Sequence, residues 1–137
     1  MLLSPTEWAD VFLDQGIQIR RAEPRNGAWH ILVERAGEYT FSLRRWPKDV
    51  DVPMRAGLPA HWDRDASYLP GVAMPIAKAR IATGLGVDAS KSVGPEDREV
   101  VFSARLPEGP SRLQTWFYDE GGRELSGAYF VYAEWKP

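Results

Sequence analysis

Apolar and polar positions alternate with period two along six stretches of the chain. Trp29, Ile31 and Val33 alternate with His30, Leu32 and Glu34, and Tyr39, Phe41, Leu43 and Arg45 with Thr40, Ser42 and Arg44. Ile76 and Ala82 flank Lys78 and Arg80. Val100, Phe102, Ala104 and Leu106 share one face of 99–106, as Leu113, Thr115 and Phe117 do in 113–118. In 128–135, Ala128, Phe130 and Tyr132 alternate with Tyr129, Val131, Ala133 and Trp135. Successive strand residues point to opposite faces, so these stretches predict half-buried antiparallel strands. Their aromatic and β-branched content fits a pleated surface.

Turn residues separate the runs. Ala36-Gly37 predicts a hairpin between the first two strands. Asn26-Gly27 and Pro107-Glu108-Gly109-Pro110 mark further turns, and Asp119-Glu120-Gly121-Gly122 predicts that the last two strands form a hairpin. The one helical signature runs from Pro5 to Leu13, with Ser4 as N-cap, Pro5 at the first position and Glu7 at the third. Residues 47–75 break the alternation and hold prolines 47, 53, 59, 70 and 75. Loops this long inside a compact domain are often functional, although an edge strand with an irregular crossover between sheets gives the same pattern. The expected fold is all-β: a single domain over 1–137, an antiparallel β-sandwich of jelly-roll or Ig-like kind with one long Pro-rich loop. A closed barrel is the alternative. A parallel α/β fold needs amphipathic connections of about 10–15 residues, and none is visible.

Composition narrows the function. The 137 residues carry 17 Lys+Arg and 19 Asp+Glu, a net charge of −2, without the clustered basic excess of a nucleic-acid binder. No apolar run reaches the roughly 20 residues needed to cross a bilayer, and no signal-peptide pattern is visible in the chain. With no Cys there is no disulfide framework, thiolate zinc site or cysteine nucleophile. Six Trp in so short a chain is the unusual count.

Candidate chemistry is sparse. His30 lies inside a strand, opposite the Trp29 face, and reads as a surface or interface histidine. His61 stands in the long loop with Trp62, Asp63, Asp65 and Tyr68, the best polar–aromatic cluster and the candidate ligand-binding site. A solvated loop held by one apolar side chain gives the same pattern. Flat rings cover the C–H face of a sugar while neighbouring acids and amides bind its hydroxyls. Trp8, Trp46, Trp62 and Tyr68 are candidates for that role. Trp29, Trp116 and Trp135, inside strands, read as core or interface. Arg44, Arg45 and Trp46 form the second concentration, read as an interface or a structural anion contact. Neighbouring strand residues face opposite ways, so one of the two arginines is expected to turn inward. It then needs a carboxylate, carbonyl groups or an aromatic ring as partner. Asp49/Asp51 and Asp63/Asp65 lack the glycine and distal glutamate of a calcium loop, so no metal and no cofactor is expected.

Four segments carry a family resemblance: Asn26-Gly27-Ala28-Trp29 with Val33 to Tyr39; Phe41-Ser42-Leu43-Arg44-Arg45-Trp46-Pro47; Met74-Pro75-Ile76-Ala77-Lys78-Ala79-Arg80-Ile81; and Leu113-Gln114-Thr115-Trp116-Phe117-Tyr118-Asp119 with Gly127 to Tyr132. In order, from about Trp8 to Glu134, they resemble the C-terminal β-rich region of bacterial arylsulfatase-type sulfatases. Members of that family hydrolyse sulfuric esters in a separate α/β domain. That domain uses a formylglycine made from Cys or Ser in a C/S-x-P-x-R motif, and a calcium held by acids. Glu108-Gly109-Pro110-Ser111-Arg112 echoes the motif, but glutamate at its first position cannot become formylglycine. No catalytic residue carries over. The resemblance therefore implies a non-catalytic accessory module that packs on a sulfatase catalytic domain, in cis or in trans, and shapes its substrate entrance. It also implies a periplasmic or extracellular setting. A free-standing carbohydrate-binding module, with a glycan as partner, is the alternative; a hydrolase in its own right is the third reading.

Overall fold

The computed structural model describes residues 1–9, 19–58, 61–62, 67–68, 71–84 and 86–137, with the backbone alone described at 6, 61, 62, 67 and 68. Two antiparallel sheets pack face to face. The first has the order β1 (Leu2–Leu3), β11 (Phe130–Lys136), β3 (Gly37–Arg44), β8 (Val100–Leu106). The second is built on β9 (Gly109–Tyr118). One edge of β9 pairs with β6 (Lys78–Thr83), which pairs with β7 (Asp88–Ser92). Its other edge pairs with β2 (Ala28–Val33) along Gly109–Gln114 and with β10 (Glu124–Ser126) further on.

The alternation does what period two requires. Phe41, Leu43, Val100, Phe102, Leu106 and Val131 of the first sheet meet Trp29, Val33, Ala79, Ile81, Leu113 and Phe117 of the second in one buried core. Burying these side chains is the main force joining the layers, worth about 1.5–3 kcal/mol for each large one. Thr115 is the polar member of the inward row, and its Oγ1 accepts the Ala128 N–H at 2.9 Å, so it enters the core satisfied.

Both predicted hairpins are corrected. β2 and β3 lie in different sheets, and Gly37 marks the crossing rather than a hairpin turn. Its φ is +153°, and a Cβ there would stand 2.7 Å from Trp135 Nε1, so the corner needs glycine twice over. The turn at 119–122 exists: the Arg123 N–H donates to Asp119 Oδ1 at 2.9 Å. The strand it delivers is the short β10, after which the chain crosses to the first sheet as β11. Alternation specifies which residues face the core but not which strand lies alongside, and sheets only about 10 Å apart are spanned by short connections.

Two other expectations change. Pro5–Glu7 is a single 3₁₀ turn with the Ser4 N–H donating to Glu7 Oε2 at 3.1 Å. The backbone is already extended at Trp8, so no helix continues through it, and 10–13 lie outside the described residues. The Pro-rich stretch is not wholly irregular. Leu58 and Gly71 exchange backbone hydrogen bonds of 2.9 and 2.7 Å, and beyond them β4 (His61–Trp62) pairs with β5 (Ser67–Tyr68). The pairs 58/71, 61/68 and 62/67 keep a single antiparallel register, that of a β-ribbon arm.

Candidate functional site

The arm stands on a built socket. Arg45, next after β3, turns inward and is fully buried. Its guanidinium donates to the carbonyls of Ala56 (3.2 Å) and Val72, with longer contacts to those of Ile19 (3.4 Å) and Arg20 (3.5 Å). One planar fork thereby ties the two strands of the arm's neck to the segment before β2. Burial pushes the Arg45 pKa down to about 10, so the side chain stays charged at neutral pH and its carbonyl partners must solvate it. Trp46 lies 4.4 Å beneath the guanidinium and donates from Nε1 to the Ala56 carbonyl at 3.3 Å. Gly57 and Gly71 close the neck: a Cβ on Gly57 would meet the Gly71 carbonyl oxygen at 2.1 Å, and one on Gly71 would meet Trp46 at 2.9 Å.

Arg44 points the other way, onto the outer face of the first sheet, where Nη1 lies 3.8 Å from Glu99 Oε2. The trio Arg44, Arg45 and Trp46 is thus divided: Arg44 is paired to a carboxylate, while Arg45 and Trp46 hold backbone. Of the loop cluster, His61, Trp62 and Tyr68 fall on the arm, where the register pairs His61 with Tyr68 and Trp62 with Ser67. Asp63 and Asp65 lie outside the described residues.

The other aromatic candidates separate by burial. Trp8 and Trp46 are buried, Trp8 against Trp29 and Tyr129 with centroids at 5.9 and 6.2 Å, so neither offers a ring face to a sugar. Trp116, expected in the core or an interface, is not in the core: it stands half-exposed on the outer face of the second sheet. There it is part of a ladder. Arg80, directly opposite on β6, lies 4.4 Å from the Trp116 ring, and Lys78 lies 4.8 Å from the ring of Tyr118. Arg80 is bound by both Asp88 oxygens at 2.8 and 2.7 Å and reaches the Tyr118 hydroxyl at 3.4 Å. The hydrogen bonds to Asp88 and then to Tyr118 raise the Arg80 pKa, and the same Arg80 bond holds the Asp88 carboxyl below its usual value. Trp135, half-exposed at the sandwich end, carries Arg35 at 4.4 Å. The signal for Trp116 was in the sequence: Leu113, Thr115 and Phe117 face inward, so residue 116 must face out.

Asp51 pairs with Arg98 at 2.5 Å, and His30 is exposed beside Arg112 on the second sheet. Pro110, Ser111 and Arg112 lie within β9, paired with β2. Among the described residues no group of three or more His, Asp or Glu lies together to hold a metal ion.

No family model and no curated protein matches the chain. Among solved structures it is similar to a ruminal GH26 endo-β-1,4-mannanase, with a TM-score of 0.53 and 10% identity. The match covers 100% of this chain and 26% of the mannanase chain, so the chain spans about a quarter of that protein's length. At this identity the likeness is one of fold.

Proposed function

We propose that the chain is a non-catalytic accessory module that packs on a catalytic domain and presents its β-ribbon arm at the entrance used by a glycan substrate. The observation that carries this reading is the pairing of His61–Trp62 with Ser67–Tyr68 in the register of a neck fixed by a buried guanidinium. A neck fixed at its base lowers the entropic cost of ordering the chain beyond it. The likeness of the whole chain to part of a longer mannanase supports a modular place in a carbohydrate-active protein. The segments around Arg44-Arg45-Trp46-Pro47 and Leu113 to Phe117 support an arylsulfatase-type catalytic partner, in cis or in trans.

The test adds the purified chain to a sulfatase catalytic core lacking its C-terminal region. Co-elution and a higher Tm of the core are expected, with faster turnover of a sulfated polysaccharide but not of a small aryl sulfate. A chain with the 59–70 tip replaced by a short Gly linker is expected to dock without that gain. Neither association nor stabilisation would overturn the reading. The half-exposed Trp116 and Tyr118 favour a second reading, a free-standing carbohydrate-binding module. It requires glycan titration to change tryptophan fluorescence in the chain alone and Trp116→Ala to abolish part of that change.

A further inference from the structure

The outer face of the first sheet carries a groove of about 450 Å³, lined chiefly by Thr40, Ser42, Lys48, Glu99, Tyr132 and Glu134. That volume lies within the range of small-molecule sites, about 300–1,000 Å³, but the lining is far more polar than an apolar ligand would need. Two features set it apart from an ordinary solvated sheet face.

The first is buried polarity on the outward side. Ser42 and Arg44 project away from the core, yet are only 9% and 8% exposed. Ser42 Oγ donates to Glu99 Oε2, and Arg44 Nη1 stands 3.8 Å from the same oxygen. The Glu99 carboxylate is therefore held in one orientation through Oε2, while Oε1 takes no part in either contact. Arg44 Nε is buried without a hydrogen-bond partner among the described residues.

The second is a phenol whose donor meets no partner among the described residues. The Tyr132 hydroxyl accepts the Lys48 backbone N–H at 3.0 Å, and among the described residues its own hydrogen meets no acceptor. Lys48 Nζ sits 4.5 Å from the same ring. The groove thus offers an oriented carboxylate, a second carboxylate at Glu134, a phenolic donor, an ammonium and the hydroxyls of Thr40 and Ser42. The Met1 amino group also lines the groove, and Glu134 Oε2 lies 3.8 Å from Lys136 Nζ, so cations stand beside both carboxylates.

We propose that this groove binds a neutral, polyhydroxylated ring, a pyranoside unit of an uncharged polysaccharide. Vicinal hydroxyls would donate to Glu99 and Glu134 and accept from Tyr132 and Lys48. Both carboxylates accept hydrogen bonds only, and sugar hydroxyls can donate to them where sulfate and uronate oxygens cannot. The site is distinct from the arm, and the inference does not rest on the function proposed above.

The test is titration of the ¹⁵N-labelled full chain with cellohexaose, mannohexaose and xylohexaose, and with a chondroitin sulfate hexasaccharide. At least one neutral oligosaccharide is expected to give saturable amide shifts at Ser42, Glu99 and Tyr132. Glu134→Gln and Tyr132→Phe are each expected to weaken it about tenfold, the loss of one charge-assisted or buried hydrogen bond. Unchanged near-UV circular dichroism confirms that each variant remains folded. Absence of saturable shifts in the millimolar range overturns the proposal. So do binding confined to the sulfated hexasaccharide, affinity unaltered in both variants, and shifts restricted to the arm.

Discussion

Arg45 and Arg80 each lay a guanidinium 4.4 Å from the centroid of a tryptophan ring, Trp46 in one case and Trp116 in the other. The contact is the same and the surroundings are opposite. Arg45 is fully buried and meets backbone carbonyls, so it bears the cost of leaving water and its pKa falls to about 10. Arg80 is partly open to solvent and meets a carboxylate, so its pKa rises. A buried fork fixes three separate stretches of chain at once. A surface fork only orders the side chains around it, since water competes for every partner. Cation–π geometry therefore does not distinguish the residue that holds the fold together from one that dresses a sheet face; burial and the nature of the oxygen partners do.

The strongest way to break the comparison is Arg45→Lys. An ammonium keeps the charge but cannot fork to carbonyls on both sides of the neck, which leaves a buried cation and orphaned carbonyls. A loss of about 3 kcal/mol is expected, read as a lower urea midpoint with unchanged m-value. Gly57→Ala comes next. Its Cβ cannot coexist with the Gly71 carbonyl 2.1 Å away, so the neck must open. About 2 kcal/mol is expected to be lost, with faster proteolysis between residues 58 and 71 as the local readout.

The smallest effect on stability belongs to Arg80→Ala, whose expected signature is local. Trp116 becomes more accessible to acrylamide quenching, and the urea midpoint barely moves. This variant also sharpens the electrostatics. Asp88 in the parent titrates below the usual aspartate range because Arg80 bonds its charged form. A carboxyl with a lowered folded pKa stabilises above its unfolded pKa and loses that contribution as pH falls through the folded one. The Asp88 carboxyl carbon should therefore titrate lower in the parent than in Arg80→Ala. Arg45, with a folded pKa of about 10, lies outside that window and contributes no slope there.

Much of the fold was legible in the sequence. All six alternating runs overlap observed strands, and the split of inward and outward residues follows from period two. β7 was not legible, because all five residues of Asp88–Ser92 are exposed and no burial imprints a pattern on them. Pairing was not legible either: β2 and β3 look like hairpin partners only when a short polar connection is taken for a tight turn. The alternation that turned Leu113, Thr115 and Phe117 inward already placed Trp116 outside, and only the habit of counting tryptophan as core obscured it. The socket's partners, the carbonyls of Ile19, Arg20, Ala56 and Val72, are backbone groups and leave no trace in residue identity. For the arm, the sequence marked the residues but not their pairing.

The place of β3 between β8 and β11 governs how the molecule is made. Met1 and Ala133, 132 residues apart, exchange two backbone hydrogen bonds, so the first sheet is assembled from contacts of very large sequence separation. Such topologies fold slowly. During synthesis one edge of β3 has no partner until β11 emerges, roughly 86 residues later (130 − 44). At about 5–20 residues per second that is on the order of 4–17 s. For that interval the edge of β3 is open to pairing with other chains.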